Sequence, residues 1–411
     1  MKKKLVTMLM MVTVVTTMLA GCNNKIDDEL TEHEDATDCE SFQEDIEVKE
    51  DHNYKHVMNM IDSLYGTENE NVILSETSLD MALGMVMQGA TNDAASELEA
   101  YYGVTPTDKL YRDHSLIELY NNRDDVTLNI ANAVYSNNNV VLNGDFISNV
   151  SDGYYAAVDN LDFNDAASAD VINNWCSEKT NDLINQIVTP EQLQAKDSII
   201  LNALYFNGTW GDEFEDCQLE DIDFTNVGNG TSTVTGMYES GLSTYYETDT
   251  ATGFAKYYEG NEIAFIGILP NEEILDKNKD FKMTDIDLQE FLESETYEYD
   301  VDIMIPKFKV EDSNSLNDVL KEEGLNSMFL PGNLGGINPD LLVSDVIQKT
   351  VVDVNETGTE AAAVTEFGIN FTCSNPAEIQ KKEVILDRPF AFMIYDTVNN
   401  EILFVGKIVE L

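Results

Sequence analysis

The side chains able to do covalent or proton-transfer chemistry are few, and their spacing argues against the common catalytic sites. The histidines are His33, His52, His56 and His114. Three lie in or beside a carboxylate-rich N-terminal stretch and His114 follows Arg112-Asp113, so no serine, histidine and acid arrangement can be read. HExxH, GxSxG, a Walker loop and a dinucleotide fingerprint are all missing. Acidic residues number 77 against 23 basic ones, and in such a chain a carboxylate pair carries little information. Cys39, Cys176, Cys217 and Cys373 match no zinc-ligand spacing and allow three pairings among themselves, so they define no disulfide framework.

Cys373 closes the segment NETGTEAAAVTEFGINFTC, residues 355–373, which supports two readings. As a helix, Thr357 and Glu360 stand at capping-box spacing before three alanines. As a strand, one face carries Thr359, Ala361, Ala363, Thr365, Phe367, Ile369 and Phe371, and the other Glu360, Ala362, Val364, Glu366, Gly368 and Asn370. Small residues come first on the apolar face, as suits a strand that must slip between two others, where each overpacked group costs about 1–3 kcal/mol. Only the strand accounts for Phe367, Ile369 and Phe371.

The elements that would position this segment divide into helices first and strands after. Apolar spacing of three and four predicts a helix over 78–90, and 92–103 reads as an acidic helix closed by Gly103. Residues 126–136 alternate as a strand, 169–188 return to helical period before Thr189-Pro190, and 198–210 read as a strand. Beyond about residue 230, strands follow one another over 231–238, 253–260, 261–270 and 296–310. One helix interrupts them at 315–324, with Ser315 as its expected cap. The C-terminus alternates again, so the fold class expected is α+β.

The first residues are set apart from this fold. MKKK is a positive n-region, LVTMLMMVTVVTTM an apolar run of about fourteen residues where a membrane span needs roughly twenty, and LAGC places small residues before Cys22. Residues 1–21 are expected to be a lipoprotein signal peptide, with Cys22 as the lipidated first residue of the mature chain. Residues 22–50, dense in acids and poor in aromatics, read as a disordered tether, and 51–411 as one compact domain with 43% apolar composition over the whole chain. The net charge of −54 argues against a nucleic-acid partner and suits solubility or the steering of a basic one.

Five segments in this order resemble the serpin family: NVILSETSLDMALGMVMQGA (71–90), ILNALYFNGTW (200–210), VDIMIPKFKVE (301–311), SDVIQKTVVDVNETGTEAAAVT (344–365) and DRPFAFMIYDTVNNEILFVGKI (387–408). The resemblance implies three β-sheets, about nine helices and an exposed reactive centre loop, here about residues 356–386. It implies a suicide-substrate inhibitor of serine or papain-like cysteine proteases, consumed by each encounter and hence no enzyme, with no cofactor or metal. Carried over by position, the hinge is Gly358, Thr359, Glu360, Ala361, Ala362, Ala363, Val364 and Thr365. The scissile bond falls between Thr372 and Cys373, with Phe371 as the alternative specificity residue, and these suit elastase-like or chymotrypsin-like proteases.

Ser75, Ser78, Asn202 and Gln348 fall at the family's shutter and Trp210 at its breach, although caps and core packing would use the same residue types in any fold. Two departures stand out: Glu76 in place of a proline, and Gln348 in place of a histidine. The implied setting is an exported monomer, lipid-anchored at the cell surface or extracellular. The alternative is a non-inhibitory member acting as a surface binding or structural protein.

Overall fold

The computed structural model describes residues 54–68, 70–194, 196–359 and 379–411. Among these residues nine α-helices surround three sheets, two of six strands and one of four. The sheet at the centre of the core runs Val72–Leu74, Glu401–Ile408, Phe390–Asp396, Ile263–Pro270, Ala251–Tyr257, Thr244–Glu247. Every residue of Ile263–Pro270 and Phe390–Asp396 is buried, which is why these strands read as unbroken apolar runs.

The large sheet runs Phe308–Ser315, Ile347–Asn355, Gly358–Thr359, Ser198–Thr209, Thr127–Asn137, Ala157–Leu161. It therefore joins strands from both halves of the chain, and the expected division into helices and then strands holds only in outline. The four-stranded sheet runs Lys381–Ile385, Asp300–Pro306, Thr231–Leu242, Leu219–Thr225.

Helix Glu76–Met87 is buried on nearly all sides, and Ser75 caps it by accepting a hydrogen bond from Ser78 N at 3.2 Å. Helix Asn92–Tyr102 ends at Gly103, whose φ of 67° lies in the left-handed region. The helical period over 169–188 is cut short: the helix is Ala166–Lys179, and Asn181 and Asp182 follow with φ of 49° and 63°. Thr180 fixes that break, donating to Cys176 O at 2.8 Å and accepting from Ile184 N at 3.0 Å. Ser315 is not a cap, because strand pairing with Ile347 claims it and the helix Asn317–Glu322 starts after Leu316. No helix among the described residues is long and apolar enough to cross a membrane.

Helix Pro106–Asn121 is tied to this core by buried charges. Lys109 lies fully buried, 2.5 Å from Asp113 and 3.3 Å from Asp80, and Tyr154 donates to Asp113 at 2.8 Å. One turn on, Arg112 meets Glu401 at 2.7 Å, yet burial, reinforced by Asp80 and Glu76, pushes the Glu401 carboxyl up to about 7. A carboxyl that keeps its proton in the fold while the unfolded one loses it near about 4.3 contributes stability that is full below that pH and lost as pH rises toward 7. In urea unfolding, the stability of the parent relative to Glu401→Gln is therefore expected to decline from pH 4.5 to 7.5; a difference that does not change with pH would show that Glu401 is not raised.

Candidate functional site

The site forms where Ile347–Asn355 and Ser198–Thr209 lie as near neighbours in the large sheet without pairing to each other. Only the two-residue strand Gly358–Thr359 links them among the described residues, antiparallel to both, with Thr359 opposite Val354 on one side and Gly208 on the other. The chain reaches this position through a turn in which Asn355 Oδ1 accepts from Thr357 N at 3.0 Å and from Thr357 Oγ1 at 2.7 Å. Trp210 N donates to Thr357 O and Phe214 N to Glu356 O, each at 3.0 Å, and the Trp210 indole donates to Asn355 O at 2.9 Å. Lys307 pairs with Glu356 at 2.5 Å and holds that carboxyl below its ordinary range.

Close approach dictates the residue types. A Cβ on Gly358 would stand 2.1 Å from Gly208 O, and one on Gly208 would strike the rings of Phe206 and Tyr258. Thr359 is only 3% exposed, and its hydroxyl lies 2.6 Å from Tyr258 OH. Tyr258 stacks on Trp210 with centroids 4.6 Å apart, and burial raises its phenol above the ordinary value, so it remains neutral. Lys256 sits 4.4 Å from the Phe214 ring and is paired with Glu239.

Below Thr359 the two flanking strands border a cavity of about 60 Å³, lined among others by Ser78, Ile200, Asn202, Val346 and Gln348. Gln348 grips the backbone of Ser75 at both ends: Ser75 N donates to its Oε1 and its Nε2 donates to Ser75 O, each at 2.8 Å. Ser75 Oγ donates to Leu403 O at 2.8 Å, tying this point to the central sheet. Asn202 Nδ2 donates to Asn132 Oδ1 at 2.8 Å, while Asn202 Oδ1 is buried with no hydrogen-bond partner among the described residues. Outside the sheet, Cys176 and Ile184 pack against Ala203 and Val351, one residue from each flanking strand, and Lys349 Nζ donates to Gln186 O at 3.3 Å. Helix Ala166–Lys179 and the segment after it thus cover the slot.

The structure brings Ser78, Asn202 and Gln348 to one cavity, with Ser75 held against Gln348, and Gly358, Thr359 and Trp210 together at the head of the slot. Glu76 opens the helix in its first turn and pairs with His56 at 3.0 Å. Glu360, Ala361, Ala362, Ala363, Val364, Thr365, Phe371, Thr372, Cys373 and Cys22 lie outside the described residues. Sequence reasoning missed Gly208, Phe214 and above all Tyr258, the partner of Thr359, because these contacts join residues about a hundred or more positions apart with no local pattern to mark them.

Removing the Gln348 amide leaves Ser75 N and Ser75 O buried without it, a loss of about 1–3 kcal/mol. Gln348→Ala should lower the unfolding free energy by that amount, read in a urea titration as a lower midpoint with an unchanged slope. An unmoved midpoint would show that Gln348 does not hold this point of the sheet.

The family model for Serpin (serine protease inhibitor) matches residues 51–411. Iripin-1 of Ixodes ricinus is 32% identical over 372 residues, covering 86% of this chain and 92% of the relative. Among solved structures, the thermophilic serpin tengpin in its native state is 27% identical with a TM-score of 0.75, covering 87% of this chain and 94% of that one. Serpin48 of the insect Tenebrio molitor is 26% identical with a TM-score of 0.76, covering 87% and 96%.

Proposed function

The chain belongs to the serpin family, and from that premise we propose that it is an irreversible suicide-substrate inhibitor of serine and papain-like cysteine endopeptidases. Members of the family are in general protease inhibitors and not enzymes. The observation that carries the mechanistic reading is the seated start of a strand, Gly358–Thr359, at the head of a slot whose two walls have no other partner there among the described residues. Continuing its register residue by residue would set Thr365 opposite Asn202 and Gln348, and Phe367 opposite Ile200 and Val346, the residues that line the cavity. The Thr365 hydroxyl could then satisfy the orphaned Asn202 Oδ1, and Phe367 could fill the apolar space.

In this reading the protease nucleophile attacks the main-chain carbonyl of Thr372, or of Phe371. An acyl-enzyme forms and the chain beginning at the next residue departs as the amine. Cleavage frees the loop to enter the slot, and each added backbone hydrogen bond contributes about 0.5–1.5 kcal/mol net, beside apolar burial. The native chain is then a kinetically trapped state above a more stable one, and the insertion drags the acylated protease out of its working geometry. No Lys or Arg stands between Thr350 and Gln380, which disfavours trypsin-like targets and favours elastase-like or chymotrypsin-like ones. We further assign lipidation to Cys22, holding a monomeric inhibitor at the cell surface by the tether 22–50.

Incubation with elastase-like, chymotrypsin-like and papain-like proteases should give a covalent complex, seen by intact mass under denaturing conditions, with a released C-terminal peptide that identifies the cleaved bond. Thr359→Arg cannot seat against Tyr258 and should be cut at a similar rate without trapping the protease. Trapping equal to the parent's would refute insertion through this hinge. Metabolic labelling with a fatty acid should mark the parent chain and not Cys22→Ser; equal labelling would remove the anchor assignment.

A further inference from the structure

Among the described residues four lysines are buried, and one of them is placed differently from the rest. Lys196, Lys256 and Lys407 each reach a single carboxylate whose side chain stays partly exposed. Lys109 and Asp113 both have side chains at 0% exposure, and a second carboxylate, Asp80, is also in reach. The pair stands one turn apart on helix Pro106–Asn121, at the spacing that makes side chains neighbours. Lys109 Nζ donates to Asp113 Oδ1 at 2.5 Å and to Asp80 Oδ2 at 3.3 Å, with the Tyr102 ring 4.6 Å away. The Tyr154 phenol donates to the other Asp113 oxygen, Oδ2, at 2.8 Å. Gly84, one turn after Asp80, leaves the room this needs: a Cβ there would stand 2.4 Å from Asp113 Oδ2 and 2.6 Å from the Tyr154 hydroxyl. Amine, carboxyl, second carboxylate and hydroxyl donor therefore converge in one desolvated place.

We propose that Lys109 and Asp113 condense into an isopeptide bond, with Asp80 relaying a proton and Tyr154 holding the carboxyl oxygen. The step begins from the ion pair. Lys109 Nζ passes one proton to Asp113 Oδ1 across the 2.5 Å contact, giving amine and carboxylic acid, and the nitrogen lone pair attacks Asp113 Cγ. Tyr154 stabilises the charge that gathers on Oδ2. Asp80 takes a second proton from the nitrogen and delivers it to Oδ1; the Cγ–Oδ1 bond then breaks and Oδ1 leaves as water. Three protons start on Nζ, two depart with the water and one stays on the amide, so no oxidant, reductant or further reactant is needed. The Asp80 side chain is 27% exposed, which gives that water a way out.

The surroundings divide the two acids as the step demands. Burial, with Asp80, pushes the Asp113 carboxyl above its ordinary value against the pull of Lys109. Burial also acts on Asp80, but there Lys109 and Arg112 outweigh it and hold the carboxyl below its own. Asp113 is thus the carboxyl that accepts a proton and Asp80 the carboxylate that relays one. Condensation removes two charges whose burial is costly, and groups held in contact react as if at about 10⁵–10⁸ M. The product is a covalent staple across one turn of the helix whose Arg112 meets Glu401 of the central sheet. Cys176 and Cys217 are both free, so among the described residues the staple is a cross-link that no disulfide supplies.

The test is a peptide map of the full folded chain, afterwards denatured and cut with trypsin, which cleaves after Lys55, Lys109, Arg112 and Arg123 in this region. A chain with the bond should yield 56–112 joined to 113–123, uncut after Lys109 and lighter than the two peptides by one water. Separate 56–109, 110–112 and 113–123 at their sequence masses would overturn the proposal. So would 113–123 released free beside a 56–112 that has lost water, since that joins Lys109 to Asp80 or another acid. Lys109→Arg keeps the charge and should give no joined peptide; a water still missing from it would place the dehydration elsewhere and likewise refute the bond. Asp80→Asn keeps the shape and removes the relay. In a time course from newly synthesised chain it should join the peptides about 100-fold more slowly than the parent, and equal rates would strike Asp80 from the step. Where a variant fails to fold, the parent's map decides the bond by itself.

Discussion

Everything in this molecule is arranged around two strands that flank a slot and do not pair with each other. Ser198–Thr209 and Ile347–Asn355 run antiparallel to the same two-residue insert, Gly358–Thr359, and are joined by nothing else in the large sheet's described ladder. Backbone groups facing such a slot are an invitation to any strand that can reach them. The fold answers with small, specific devices. The upper end is held by Thr359 on Tyr258, which is stacked on Trp210. The lower part is held by Gln348 on Ser75, and the outside is covered by the helix that carries Cys176. The first two devices tie the slot to the central sheet, through Trp210 on Phe265 and through Ser75 on Leu403 O, so opening the slot disturbs the core and the core resists opening.

The chemistry of these devices is almost wholly uncharged. Gln348 supplies a donor and an acceptor to one peptide unit without titrating, whereas the imidazole implied by the family resemblance could change charge between pH 5 and 8. Tyr258, raised by burial, stays protonated through the same range. pH sensitivity is instead moved away from the slot to the Arg112 and Glu401 contact, where a carboxyl raised to about 7 joins a surface helix to the central sheet. Control of the slot and sensitivity to protons thus reside in different parts of the molecule.

Much of this was legible in the sequence, and what was not shares one cause. The family segments led to Ser75, Asn202, Gln348 and Trp210, while of the period-two pattern over 359–371 only Thr359 lies among the described residues, where it pairs as a strand. The α+β fold class followed from the order of helical and strand patterns, and the three sheets from the family resemblance. Ser315 and the end of the helix at Lys179 were misread because local propensity competed with tertiary claims: strand pairing took Ser315, and two left-handed residues after Thr180 ended a helical period that the apolar spacing continues. Tyr258 left no local signal, because what matters is a ring that meets a threonine a hundred and one residues later.

The acidity of the chain has a structural side that bears on recognition. Four of its few lysines, Lys109, Lys196, Lys256 and Lys407, are buried with carboxylate partners, namely Asp113, Asp345, Glu239 and Asp280. Their charges are neutralised locally and do little to offset the acids outside, where the excess is spread over the surface. A field that is negative nearly everywhere attracts a basic partner but cannot by itself tell it where to land. Selection of one landing place then has to come from short-range contact, which in the inhibitory reading is the fit of the loop sequence itself to the primary pocket of the protease.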